Sequence, residues 1–236
     1  MISKFKISKY TVFVKDNDLF YKSLLQDFLG YKLTIKKIFR SIDDTKVILI
    51  ETERGPLVLK VFVPKHKKLE RFLKSFIKRD YYENLIIQTD RLKAEGISSI
   101  NDYYLLAEAK IMNYAWAYIM LIEYIEGVEL HEYEFIPSEI ITEIRLSINE
   151  LHEHNMVSGD PHRGNFIVTK DGVRMIDLSG KRANAMLKAK DRLDLERHYG
   201  ITNDIHDAGY YKLKTKRAFR AFLKKIKKSL LLCKKQ

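Results

Sequence analysis

Three short runs rich in β-branched and aromatic residues follow one another early in the chain: Leu33 to Arg40, Lys46 to Thr52 and Leu57 to Val63. Asp43 and Asp44 separate the first pair, and Arg54, Gly55 and Pro56 the second. Such side chains suit a pleated surface and such breaks suit turns, so the pattern predicts an antiparallel meander. From Lys65 to Ala94 there is no Pro or Gly, and the apolar period lengthens. Leu69, Phe72, Leu73, Phe76 and Ile77, then Leu85, Ile86 and Leu92, fall at helical spacing, predicting one or two helices. Tyr103 to Ala109 and Ala115 to Ile125 read as two further strands. Pro137 and Ser138 open a helix with Ile141, Ile144, Ile148 and Leu151 on one face, ending near Asn155. Phe166 to Val168 and Val173 to Ile176, joined by Lys170, Asp171 and Gly172, read as a hairpin. Near the end, Phe219, Phe222, Leu223, Ile226 and Leu230 form one apolar stripe of an amphipathic helix.

At 236 residues and 46% apolar, the chain can bury one substantial core or two small lobes; 4 Pro and 10 Gly argue against long linkers. Cys233 is the single cysteine, so no disulfide framework exists and a reducing cytoplasm is expected. No run approaches about 18 apolar residues, and the opening MISKFKISKY lacks a secretory apolar core. Charge sharpens the picture. Eleven Lys and Arg and no acid lie between Ala208 and Gln236, so removing that tail from the formal +12 leaves +1. A helix apolar on one side and cationic on the rest suits an anionic membrane surface, each nearby cation contributing about 1 kcal/mol. A last helix docked on the core and a nucleic-acid arm are the alternatives; no nucleic-acid motif is visible, and none is expected as a partner. Lys65, Lys67, Lys68, Arg71, Lys74, Lys78 and Arg79 form a second basic cluster, facing the same surface or simply solvent.

The chemistry is concentrated in SGDPHRGNFIV, from Ser158 to Val168, with Asp177 twelve residues after Asn165 in VRMIDLSG. Phosphoryl transfer asks little covalent work of a protein: it needs an oriented acceptor hydroxyl, metal ions on the phosphates and neutralised charge. Asp160 suits the first task, and Asn165 and Asp177 supply the hard oxygens that Mg2+ prefers. Gly159 and Gly164 let a tight turn present them. Each residue alone would be an ordinary turn residue; the full spacing points to a nucleotide site.

This segment resembles the catalytic loop and metal-binding strand of the protein kinase-like superfamily. The resemblance implies an α+β, two-lobe fold with a small antiparallel β N-lobe (1–126) and a reduced, mostly helical C-lobe (127–207), followed by the basic tail (208–236). It implies ATP with Mg2+, and it puts Lys60, alone among apolar neighbours in LVLKVFV, on the phosphates. Glu83, with Glu70 as the alternative, would brace Lys60 through an ion pair. The strand ending near Glu123 and Ile125 would be the hinge whose backbone bonds adenine. His162 stands where protein kinases usually have Lys, a form more typical of kinases for antibiotics, sugars and lipopolysaccharide. His162 and Arg163 are placed to meet the acceptor or the transferred group. Two departures stand out: Arg40 to Lys46, RSIDDTK, has no Gly to cradle phosphates, and Leu178 and Ser179 replace the usual Phe and Gly after Asp177.

Over its whole length the chain is similar to lipopolysaccharide core heptose(II) kinases of Gram-negative bacteria, in ISKFKISKYTVFVK, SGDPHRGNF, MIDLSGK and the basic tail. That implies transfer of the ATP γ-phosphate to a hydroxyl of the second heptose of the core oligosaccharide, at the cytoplasmic face of the inner membrane. A kinase for Kdo, for another core sugar or for a protein, and a non-catalytic pseudokinase, are the alternatives.

Overall fold

Alternating apolar and polar residues send the first part of the chain into a seven-stranded antiparallel sheet. The computed structural model describes residues 1–66, 68–75 and 81–233. Lys67, Phe76, Ile77, Lys78 and Arg79 lie outside the described residues, as do the side chains of Lys68, Arg71, Lys74, Lys227, Lys228, Leu230 and Cys233. The chain opens with a hairpin, β1 (Ile2–Ile7) and β2 (Tyr10–Lys15), then α1 (Leu19–Leu29), capped where Asp18 accepts the Phe20 N–H. The meander follows as β3 (Ile35–Ile42), β4 (Thr45–Ile50) and β5 (Leu57–Phe62). Next come α2 (Lys68–Ser75), α3 (Tyr81–Ala94), β6 (Tyr103–Ile111) and β7 (Tyr114–Glu123). The strands lie in the order β1-β2-β6-β7-β5-β4-β3.

The segment expected to be a loop from Arg40 to Lys46 is shorter than that. Ser41 pairs with Lys46 and Ile42 with Thr45, leaving only Asp43 and Asp44 to turn. The β-branched residues on both sides extend the ladder to its limit. β3 is exposed along its length and forms the sheet edge, where Lys36, Lys37 and Arg40 discourage pairing with another chain.

Alternation divides the sheet into two faces. On one, Val12, Ile50, Leu59, Leu105 and Leu121 pack against Leu24 and Leu25 of α1. On the other, Phe13, Leu106 and Met120 meet Leu85, Ile86 and Leu92 of α3. This second core continues into the C-terminal half, formed by β8 (Val128–Glu129), α4 (Ser138–Glu153), β9 (Phe166–Thr169), β10 (Gly172–Met175), α5 (Ala185–Tyr199) and α6 (Ala208–Cys233). Ile144, Ile148 and Leu151 of α4, Phe166, Met175 and Leu195 all belong to it. A small sheet β10-β9-β8 holds the predicted hairpin. The architecture is α+β, sheet first and helices after.

Candidate active site

The turn between α4 and β9 is held in shape by its own polar groups. Gly159 has φ +86, and a Cβ there would lie 2.6 Å from the Ser179 Cβ, so both conformation and space demand glycine. His162 Nδ1 accepts the Gly164 N–H at 3.0 Å and starts a single 3-10 turn over Arg163–Asn165. A proton on that ring therefore sits on Nε2, which lies 3.8 Å from Asp160 Oδ2. Asn165 Nδ2 donates to the Asp160 carbonyl at 2.8 Å, so its Oδ1 is the atom turned to other tasks.

The hairpin then brings the second carboxylate to the turn. The Ile176 N–H donates to the Asn165 carbonyl at 2.9 Å, which places the next residue, Asp177, beside it. Asp177 has φ 58, a left-handed conformation that costs a non-glycine residue about 1–2 kcal/mol. Its Oδ1 lies 2.5 Å from Lys60 Nζ. Lys60 reaches it from the middle of β5, between Val47 and Met120. Lys60, Asp177, Asn165 and Asp160 are thus brought together by a chain of contacts where β5 meets the C-terminal half. Tyr103 adjoins it; burial pushes its phenol far up, and the negative charge of Asp177 adds to the effect.

The segment after Asp177 is pinned. Ser179 N–H donates to Ser158 O at 3.0 Å and Ala183 N–H to Asn155 O at 2.9 Å, and Arg182 bridges Met156. Asn84 of α3 donates to the Gly180 carbonyl. At Gly180, φ +61, a Cβ would meet the Tyr81 carbonyl at 2.3 Å. Asn184 then caps α5 by accepting the Leu187 N–H.

Asp191 is the residue that sequence reading missed. It is fully buried on α5, and its two oxygens accept the Ser158 N–H at 2.9 Å and the Gly159 N–H at 3.0 Å. His152 Nε2 lies 3.3 Å away. Lys190 donates to the Gly159 carbonyl, so one helix turn holds both backbone polar groups of Gly159. An acid among Ala189 and Leu195 on the buried side of α5 is the sequence signal that was available.

Other expected residues stand differently. Glu83 does not brace Lys60: its carboxylate lies 3.3 Å from Lys4 and 3.7 Å from Lys110. α3 crosses β1, β2 and β6, and Glu83 turns to the lysines of β1 and β6 while its neighbour Tyr82 meets Phe62 of β5. Among the described residues Lys60 pairs with Asp177 and not with Glu70. The Glu123 carboxylate is engaged by the Asp102 N–H and Arg174 Nη2, both at 2.8 Å, and its own N–H donates to Asp102 O. Burial lowers the Lys93 ammonium despite the nearby Glu123 charge. Ile125 is buried, and its backbone N–H and C=O bond no other backbone group among the described residues. Phe39 of β3 stacks on Tyr124 with centroids 6.3 Å apart, roofing the same strand exit.

Residues 1–229 match the family described as "Lipopolysaccharide core biosynthesis protein (WaaY)". The chain belongs to the WaaY family. A relative named "Lipopolysaccharide core heptose(II) kinase WaaY" from Escherichia coli (strain K12) is 55% identical over 227 residues, covering 96% of this chain and 98% of that protein. A second protein of the same name, from Escherichia coli, is 54% identical and covers 96% of this chain and 99% of itself. Among solved structures, a point mutant of the Mycobacterium tuberculosis PknI kinase domain aligns with a TM-score of 0.44 at 11% identity, over 69% of this chain and 70% of that one.

Proposed function

We propose that this protein transfers the γ-phosphate of ATP to a hydroxyl of the second heptose in the lipopolysaccharide inner core. The meeting of Lys60 and Asp177 beside the Asp160 turn carries the phosphotransferase part; the name borne by two relatives of near-equal length supports the heptose.

Lys60 and Asp177 put a cation and an acid side by side, and the bond from the Ile176 N–H to the Asn165 carbonyl brings Asn165 next to them. One carboxylate and one amide oxygen suit Mg2+, which keeps water and phosphate oxygens among its ligands. Bound there, Mg2+ would neutralise charge on the phosphates. Lys60 contributes a second positive charge to the same phosphates. Asp160, more than half exposed, orients the sugar hydroxyl and takes its proton as oxygen bonds to the γ-phosphorus and the bond to ADP breaks. His162 and Arg163 stand on the acceptor side. The Ile125 backbone takes the adenine edge, and the Phe39 and Tyr124 rings cover for the missing Gly-rich loop. The Glu123 carboxylate fixes the strand exit.

In this reading the sheet half (1–126) carries the nucleotide, 127–207 carries the catalytic turn, and 208–236 meets an anionic membrane on its cytoplasmic side. No helix among the described residues is long and apolar enough to cross a membrane. Phe219 and Phe222 of α6 are each 59% exposed, and Leu223 and Ile226 about 40%, which supports surface contact.

The test is mass spectrometry of the lipopolysaccharide core from cells carrying wild-type protein, Asp160→Ala or Asp177→Asn. Wild type adds one phosphate to the second heptose, and both variants lose it while remaining folded. Core phosphorylated normally by either variant removes that residue's role; phosphate on another sugar removes the heptose.

A further inference from the structure

A hollow of about 520 Å3 opens at the far end of the sheet, lined by Val63 after β5, Leu69 and Phe72 of α2, and Ile111, Tyr114 and Trp116 of the β6–β7 hairpin. Its size is that of a small-ligand pocket. Its lining is apolar, and the apolar surface spills outward: Leu69 is 73% exposed, Ile111 62%, and the neighbouring Met112 72%. A soluble protein seldom leaves so many large aliphatic side chains together in water.

Two described lysines stand beside the hollow. Lys9 Nζ sits 5.2 Å over the Trp116 ring, and Lys65 is exposed where β5 leads into α2. From Lys65 to Arg79 the chain has seven Lys and Arg against one acid, Glu70. Taking this +6 and the tail's +11 from the formal +12 leaves −5 for everything else. The excess positive charge is therefore confined to two segments, and each of them displays bare apolar side chains.

We propose that this hollow receives an acyl chain of an anionic glycerophospholipid in a bilayer, making α2 and the β6–β7 hairpin a membrane contact separate from α6. Apolar lining answers the chain, the basic segment answers the headgroups, and Trp116 and Tyr114 sit at the boundary their amphipathic rings favour. The contact does not depend on which hydroxyl the enzyme phosphorylates.

Trp116 is the only tryptophan, so intrinsic emission reports this hollow and not the tail. The full chain is titrated with vesicles of phosphatidylethanolamine and phosphatidylglycerol brominated on the acyl chains. Emission should move to shorter wavelength and be quenched, as a contact surface sinking about 5–10 Å below the headgroups requires. Leu69→Glu and Ile111→Glu, both at exposed positions, should abolish the quenching with unchanged unfolding midpoints. Phe219→Glu/Phe222→Glu should leave it in place. Sedimentation with the vesicles while Trp116 emission stays unchanged overturns the proposal. So does equal quenching by neutral phosphatidylcholine, or a shift that follows protein concentration without lipid and marks a second copy as the occupant.

Discussion

Replacing Asp191 tests whether the turn that carries Asp160 is held from beneath. Its carboxylate is fully buried and serves two backbone N–H groups at 2.9 and 3.0 Å, with His152 at 3.3 Å. A hydrogen bond to a charged group contributes about 1.5–3 kcal/mol. Asp191→Asn keeps the shape but has one acceptor oxygen, so one N–H loses its partner and faces an amide N–H2. The expected loss is about 2–3 kcal/mol. Asp191→Ala strips both acceptors and should cost about 3–5 kcal/mol. In a chain of this length each kcal/mol lowers Tm by about 2–4 °C, so the alanine variant should melt roughly 6–20 °C below wild type. Urea unfolding followed by circular dichroism gives the free energies directly. Activity should fall further than stability, because Gly159 precedes Asp160 and a displacement of about 1 Å in a reacting group can cost roughly 100-fold. Phosphate transfer is measured at a temperature where each variant is more than nine-tenths folded. A wild-type unfolding midpoint for Asp191→Ala, or wild-type turnover by either folded variant, refutes the clamp.

Glu83→Gln should change turnover by less than about threefold and stability by less than about 1 kcal/mol, since Glu83 serves partly exposed lysines on β1 and β6; a roughly 100-fold loss of kcat would mean that it braces Lys60 during the reaction after all. Asp207→Asn should cost about 1 kcal/mol near neutrality, read from Tm against pH. Burial pushes the Asp207 carboxyl up, but the Tyr210 N–H and the Arg192 guanidinium outweigh it and hold it below the usual carboxylate range. A depressed acid stabilises the fold above its unfolded pKa of about 3.9 and loses that contribution as pH falls through the folded value, so the gap between wild type and variant should close below about pH 4.

Local patterns were the legible ones. Asp160, Asn165 and Asp177 could be read because a tight turn and a short hairpin fix their spacing in the chain itself. The meander could be read because β-branched runs and turn residues alternate cleanly, and α4 because Ile144, Ile148 and Leu151 repeat at helical spacing. The opening hairpin was passed over as structure although Phe5 and Ile7 alternate with Lys4 and Lys6 along β1 at the strand period. Asp191 and Glu83 depend on which helix crosses which strand, and a charged residue carries the same letter whether it bonds a neighbouring loop or faces water. Only tertiary packing separates those cases.

Seven residues, 178–184, run from just after Asp177 through Asn184, the cap of α5, and they are tied down at Ser179, Gly180, Arg182 and Ala183. Regulated kinases place in this stretch a long loop that orders or disorders on phosphorylation. Here the connection has no slack to throw such a switch. A switch of that kind has no free segment to act on between Asp177 and α5.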